Sequence, residues 1–264
     1  MNIITIRASS LGELFDCPAR WEAKHILGMR NPSSGAAQLG TAIHASTAAF
    51  DSSVLSGAGI TIDEAAAAAV DSLHKPENDV DWDGSSAAEV EPIALALHKK
   101  YCIEVAPTQT YAAVEVKCES LEITDLGIAL TGTTDRIRET EDGYGIADIK
   151  TGKTAVSADG NVKTAGHAFQ LGVYELLAER ASGVLISAPA QIIGMNTGKT
   201  AAAQRIGNGV IVGARDVLIG DADAPGVLES ASKLIHSGSF FGNPRSMLCS
   251  QKYCPRHSTC RYRL

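Results

Sequence analysis

Thr131 to Thr151, reading TGTTDRIRETEDGYGIADIKT, constrains the chain more than any other stretch. Ile128 to Ile137 is rich in β-branched and apolar residues, Glu141-Asp142-Gly143 is a turn signal, and Tyr144 to Ile149 alternates again. That pattern predicts a β-hairpin. Strand side chains point to opposite faces in turn, so Asp148 and Lys150 share one face and Ile149 points to the other. The partner strand can bring Asp135 to the same end of that face. Two carboxylates and an ammonium at one spot make chemical sense around a divalent cation. Mg²⁺ or Mn²⁺ would offset the repulsion between the acids and bind phosphate oxygens, while the lysine orients or helps deprotonate a water. A surface hairpin with solvated charges has the same local sequence, so the surrounding chain must separate the two readings.

Helical periodicity predicts one amphipathic helix over residues 10–27, with Leu11, Leu14, Phe15 and Trp21 on one face and Ser10 and Glu13 spaced as a capping box. Further helices are expected over 36–55, which carries Gly40-Thr-Ala-Ile-His44, over 62–73 and over 87–105. Strands follow at Tyr111–Cys118, from Leu121, and in the hairpin. A helix at 166–180, a strand at 187–195, a glycine-broken strand within 201–212 and a helix at 225–236 complete the pattern. Strands in the middle with helices around them predict an α/β fold, a mixed twisted central sheet flanked by helices. The division expected is one domain, 1–264: a helical insertion at 36–105, a core at 110–212, and a tail at 245–264 stapled to Cys17.

A chain of 264 residues can bury a sizeable core. It has no apolar run of about 18 residues, so no membrane span is expected. MNIITIRASS lacks the basic and apolar regions of a secretory signal, which points to the cytoplasm. The net charge of −7 argues against a protein that coats nucleic acid non-specifically. The tail differs: Arg245, Lys252, Arg256, Arg261 and Arg263 stand there without an acid, a composition suited to phosphate contact.

Other residues can join the chemistry. His44 sits among small residues that permit close backbone approach, and a helical imidazole can bind a metal or a phosphate. Glu115, before the hairpin, offers a further carboxylate. Gln170 and Tyr174, at i and i+4, share a helix face and suit neutral hydrogen bonding to a nucleotide or to Lys150. In a cytoplasmic chain six cysteines are better metal ligands than disulfides. Cys249, Cys254 and Cys260 lie within twelve residues, and Cys17 is the best fourth donor; Cys102 and Cys118 read as small core residues. The spacing lacks a CxxC knuckle, which favours an iron–sulfur cluster over zinc, with zinc and His257 as the alternative. Gly152-Lys153-Thr154 and Gly198-Lys199-Thr200 are not phosphate-binding loops, because Ala147 and Ile193 stand where the pattern needs glycine.

In order along the chain, Cys17-Pro18, Gly40-x-x-x-His44, Gly132-Thr-Thr-Asp135, Asp148-Ile149-Lys150, Gln170-x-x-x-Tyr174 and the three tail cysteines resemble the RecB-like branch of the PD-(D/E)XK nucleases. More narrowly they resemble the iron–sulfur exonucleases that include the CRISPR-associated family and its phage-encoded relatives. The resemblance implies that His44, Asp135, Asp148 and the Ile149 carbonyl bind Mg²⁺ or Mn²⁺ and that Lys150 positions the attacking water. It implies that Gln170 and Tyr174 contact DNA or support Lys150, and that Cys17, Cys249, Cys254 and Cys260 carry a [4Fe–4S] cluster. Four residues rather than two separate the first two tail cysteines, and Asp replaces Glu at 148, departures from the common pattern. The expected function is a metal-dependent exonuclease on single-stranded DNA ends, in the cytoplasm (the host's if phage-encoded). A homo-oligomer or a recombination or CRISPR-adaptation partner fits the same reading. The rivals are an iron–sulfur DNA-binding or assembly module without essential cleavage, and a zinc-stapled structural protein.

Overall fold

A computed structural model of the protein describes residues 3–263, so the first two residues and the last of the expected 1–264 span lie outside the described residues. It opens with a strand the sequence did not announce, β1 (Ile4–Arg7). The single helix expected over 10–27 is two, α1 (Leu11–Asp16) and α2 (Pro18–His25). Pro18 has no amide hydrogen and disfavours helical backbone in the residue before it, and Cys17 is accordingly extended at φ −150°, ψ 91°. The expected capping box is absent as well. Ser10 Oγ donates to the Arg7 carbonyl and accepts from the Trp21 indole, and Glu13 instead receives Arg20 and Lys24.

Strand β2 (Ser33–Ser34) leads into α3 (Gly35–Ser56), then α4 (Ile62–His74), β3 (Val80–Asp81), which pairs with β2, and α5 (Ala87–Lys100). The helix expected to reach 105 stops at Lys100 and continues through Val105 as one wider π-helical turn. Next come β4 (Tyr111–Ile123), one strand where two were expected, β5 (Ile128–Thr140) and β6 (Gly143–Gly152). The chain continues with α6 (Ala168–Ser182), β7 (Ala190–Asn196), β8 (Ile206–Ile211), α7 (Ala214–Ile219) and α8 (Val227–Ser237).

The main sheet is mixed and has six strands. Antiparallel β4 lines one edge of β5 from Ile128 to Arg138. Two strands divide the other edge: β1 runs parallel beside Ile128 to Thr131, and β6 runs antiparallel beside Arg136 to Thr140. Between them, positions 132–135 of β5 pair with neither, so the sheet forks there. Beyond β6 the order is β7, parallel, then β8, antiparallel.

Strand alternation sorts the core into two layers. Leu130, Ile137, Ile146 and Ile192 pack with Leu171, Val173 and Leu177 of α6 and with Trp21 of α2. Their neighbours Ala147, Ile149, Ile193 and Met195 pack with Leu39 and Ile43 of α3, Leu73 of α4 and Leu97 of α5. Each fully buried aliphatic side chain contributes about 1.5–3 kcal/mol. The sheet is thus covered on both faces, an α/β architecture in which α3 and α6 approach the fork from opposite sides. Cys102 and Cys118 are buried in the two layers as small core residues. Among the described residues no helix is long and apolar enough to cross a membrane.

Candidate active site

Asp135 stands at the fork, one step past the last β5–β6 pair, Arg136↔Ala147, and therefore beside Asp148. Its Oδ2 accepts the Ile149 backbone N–H at 2.8 Å and lies 3.3 Å from His44 Nδ1. The N–H and C=O of one strand residue point to the same edge, so the Ile149 carbonyl also faces the fork. Lys150 Nζ lies 2.6 Å from Asp148 Oδ2, in an ion pair that lacks hydrogen-bond angles. That oxygen is buried, and the Lys150 ammonium is its ion-pair partner. His44, Asp135, Asp148 and Lys150, drawn from α3, β5 and β6, meet at one place.

Electrostatics separate the two carboxylates. Burial and the neighbouring Asp135 push Asp148 up to about 6, against the opposing pull of Lys150. Burial also acts to raise Asp135, but His44, the Ile149 amide and Lys150 outweigh it and hold the group at about 2. Burial acts to lower the His44 imidazole, yet Asp135 and Asp148 raise it above its ordinary value. Two buried acids pressed together, one of them paired only with a lysine that reaches solvent, and an imidazole beside them form a hard-donor set that fits Mg²⁺ or Mn²⁺. The fit is in chemistry and orientation: among the described residues no three His, Cys, Asp or Glu side chains are already arranged to hold a metal ion.

Helix α3 is brought to the strands by small residues and by a buried ionic network. A Cβ on Gly40, one turn before His44, would lie 2.7 Å from Thr151 Oγ1, so a larger residue there would force the Thr151 side chain or the helix to move. One and two turns after His44, Thr47 and Asp51 receive the fully buried Arg136, with Nη2 3.3 Å from Thr47 Oγ1 and Nε 2.7 Å from Asp51 Oδ2. Tyr101 also donates to Asp51, at 2.6 Å. Asp135 and Arg136 are consecutive, yet both reach α3, which regular alternation forbids. Opposite them in β4, Glu115 takes φ +52°, a strained value for a side-chain-bearing residue. Its carboxylate lies 3.4 Å from Arg136 Nη1, and burial together with Asp135 raises its pKa. Sequence reasoning missed Arg136 and Asp51. Their one legible signal was an acid on the His44 face of a small-residue helix.

From the other side, Gly132 lets α6 close on β5, since a Cβ there would meet Tyr174 and Leu177 at 3.1 and 3.2 Å. Gln170 Nε2 donates to Tyr174 Oη at 2.9 Å. Burial and the nearby Asp148 push the Tyr174 phenol up, so it stays neutral. His167, absent from the sequence reading, precedes α6, and burial with Lys150 and Lys163 lowers it to about 4.

Cys17, Cys249, Cys254 and Cys260 line one cavity with Arg20, Arg256 and His257. Burial and the neighbouring Cys17 and Cys260 thiols raise the Cys254 pKa. Arg20 Nη1 and His257 Nδ1 are buried there without hydrogen-bond partners. The tail is fastened by Asn243 Nδ2 to the Asp16 carbonyl at 2.9 Å and by an Arg256–Glu22 ion pair.

No curated protein matches this chain. The family model described as the PD-(D/E)XK nuclease superfamily matches residues 6–261, from β1 through the tail cysteines. The match spans the forked sheet, both acids, the lysine and both flanking helices, and on that extent the chain belongs to the PD-(D/E)XK nuclease superfamily.

Proposed function

We propose that the protein is a metal-dependent deoxyribonuclease that hydrolyses phosphodiester bonds as an exonuclease on single-stranded DNA ends. The setting would be the cytoplasm, in phage- or CRISPR-related DNA processing or recombination. One observation carries this reading: Asp135 and Asp148 from adjacent strands meet His44 at the fork, with Lys150 against Asp148.

A divalent cation held by Asp135, Asp148, the Ile149 carbonyl and His44 would neutralise phosphate charge and acidify a water. Lys150 keeps a fifth of its side chain open to solvent and can turn its ammonium from Asp148 to that water, aligning it for in-line attack. Tyr174, neutral and hydrogen-bonded to Gln170, offers a phenol to the DNA or to Lys150. The Ile149 amide fixes the Asp135 carboxylate, so the acid need not reorganise during reaction. The four cysteines, facing one cavity, would carry a [4Fe–4S] cluster that holds the basic tail beside the sheet.

The test is digestion of end-labelled single-stranded and duplex DNA with Mn²⁺, Mg²⁺ or chelator. Metal-dependent release of terminal nucleotides from the single strand is expected; binding without degradation under every condition would overturn the reading in favour of a DNA-binding module. A visible iron–sulfur absorbance is expected of fresh protein, and a colourless sample holding zinc would transfer the site to zinc, with His257 as a donor in reach.

A further inference from the structure

Two cavities flank the Gln170–Tyr174 pair, of about 370 Å³ on the Tyr174 side and about 420 Å³ on the Gln170 side. Ser9 lines both, and each borders one member of that hydrogen-bonded pair, so the two cavities lie next to each other beside the site. The first is lined by Arg7, Lys117, Thr131, Thr133 and Tyr174 and contains no carboxylate, although the protein as a whole is acidic. Arg7 has no carboxylate within ion-pair distance among the described residues, and Lys117 holds only an exposed pair with Glu119, which costs little to exchange for a phosphate.

The register arranges these groups across three strands. Arg7 of β1 lies beside Thr131, and Lys117 of β4 beside Thr133. Thr131, Thr133 and Asp135 alternate along one face of β5. At strand rise, Thr133 is ~6.6 Å and Thr131 ~13 Å from Asp135. Those steps are comparable to the spacing of successive phosphates on an extended single strand. The second cavity has a different character. Its acids Glu13 and Asp16 are occupied by Arg20 and Lys24, while Leu248 and Tyr253 of the tail present 40% and 45% of their surface. An exposed phenol ring beside an aliphatic side chain suits a base more than a phosphate.

We propose that the two cavities together form one groove, the path of the substrate strand, a single strand of DNA. Arg7 and Lys117, with the Thr131 and Thr133 hydroxyls, hold the phosphates on one side of the bond to be cut. Tyr253 stacks a base on the other side. The assignment rests on the nuclease reading and deepens it. It also gives the cysteine-held tail a task, since that tail delivers Tyr253 to the groove.

The test uses the full chain carrying Asp148→Asn, so that the probe survives, and fluorescence anisotropy of a labelled oligodeoxythymidylate across a salt series. Adding Arg7→Ala with Lys117→Ala should flatten the slope of log affinity against log salt by about 1.4, at about 0.7 per phosphate contact on a single strand. Tyr253→Ala should weaken binding by about tenfold. Lys75→Ala, an exposed lysine on the helical side, should leave both unchanged, and all variants should melt like the parent. Parental affinity and slope in both groove variants would overturn the proposal. If wild-type protein still degrades the strand, the nuclease reading survives that result; if wild type neither binds nor degrades DNA, both fall together.

Discussion

Arg136 and Asp51 form an ion pair sealed from water, Nε to Oδ2 at 2.7 Å, between residues 85 apart in the chain. The pair joins the strand that carries Asp135 to the helix that carries His44. Removing one partner leaves the other charged and buried, at a cost of about 3–5 kcal/mol. Arg136→Ala should therefore lower the urea midpoint sharply, and at temperatures where it remains folded it should cleave DNA more slowly, because α3 no longer holds His44 against Asp135. Wild-type midpoint and cleavage rate in this variant would contradict the locking role.

Asp148→Asn keeps the shape of the side chain and removes its charge; Lys150→Ala removes the ammonium beside it. Both should fold, since neither residue carries core apolar contacts. Loss of a positioned proton-handling group typically costs about 10²–10⁴ in rate. Lys150→Ala should lose activity within that range and Asp148→Asn at or beyond its upper end, a loss of about 10⁴ or more, read by metal-dependent release of labelled nucleotide. Either variant nicking at the wild-type rate would remove that residue from the chemistry.

Gly40 supplies a steric test. Alanine there places a methyl 2.7 Å from Thr151 Oγ1, and overpacking of this kind costs about 1–3 kcal/mol. Thr151→Ala removes the clashing oxygen, so the double variant should regain much of the lost stability and activity. Additive losses in the double variant would show that the approach of α3 to β6 does not matter at this point.

Glu13 gives a pH dependence. Burial acts to raise its carboxylate, but His25, Lys24 and Arg20 outweigh that and hold it at about 2, below the ordinary 4.5. A depressed acid contributes stability that is complete above its unfolded pKa and is lost as pH falls through the folded one. The loss should fall between pH 4.5 and about 2, amounting to about 3 kcal/mol. Glu13→Gln should melt lower at pH 7 and show a flatter acid limb; an unchanged limb would place the sensitivity elsewhere.

How much could be read beforehand varied with the range of the forces involved. The hairpin strands and α6 follow from local alternation and periodicity, and Asp135, Asp148 and Lys150 follow with them. Strand β1 was illegible because four residues acquire their identity only from pairing with Ile128 to Thr131. The break at Cys17 is legible in Pro18, whose missing amide hydrogen and effect on the residue before it override the apolar periodicity that runs through both helices. Arg136 reads as a solvent-facing strand residue until a helix 85 positions earlier supplies its acid. The φ of +52° at Glu115 has no local signature, since glutamate has no preference for that conformation.

The fastening of the tail has a consequence for how the molecule comes into being. Asn243 finds Asp16 across 227 positions, and β1 finds its slot only after β5 exists. Such distant closures are entropically slow and come late. A chain emerging from the ribosome would hold its hairpin and helices well before the segments around Asp16 and Asn243 have met, so the wall that carries the tail cysteines is completed last.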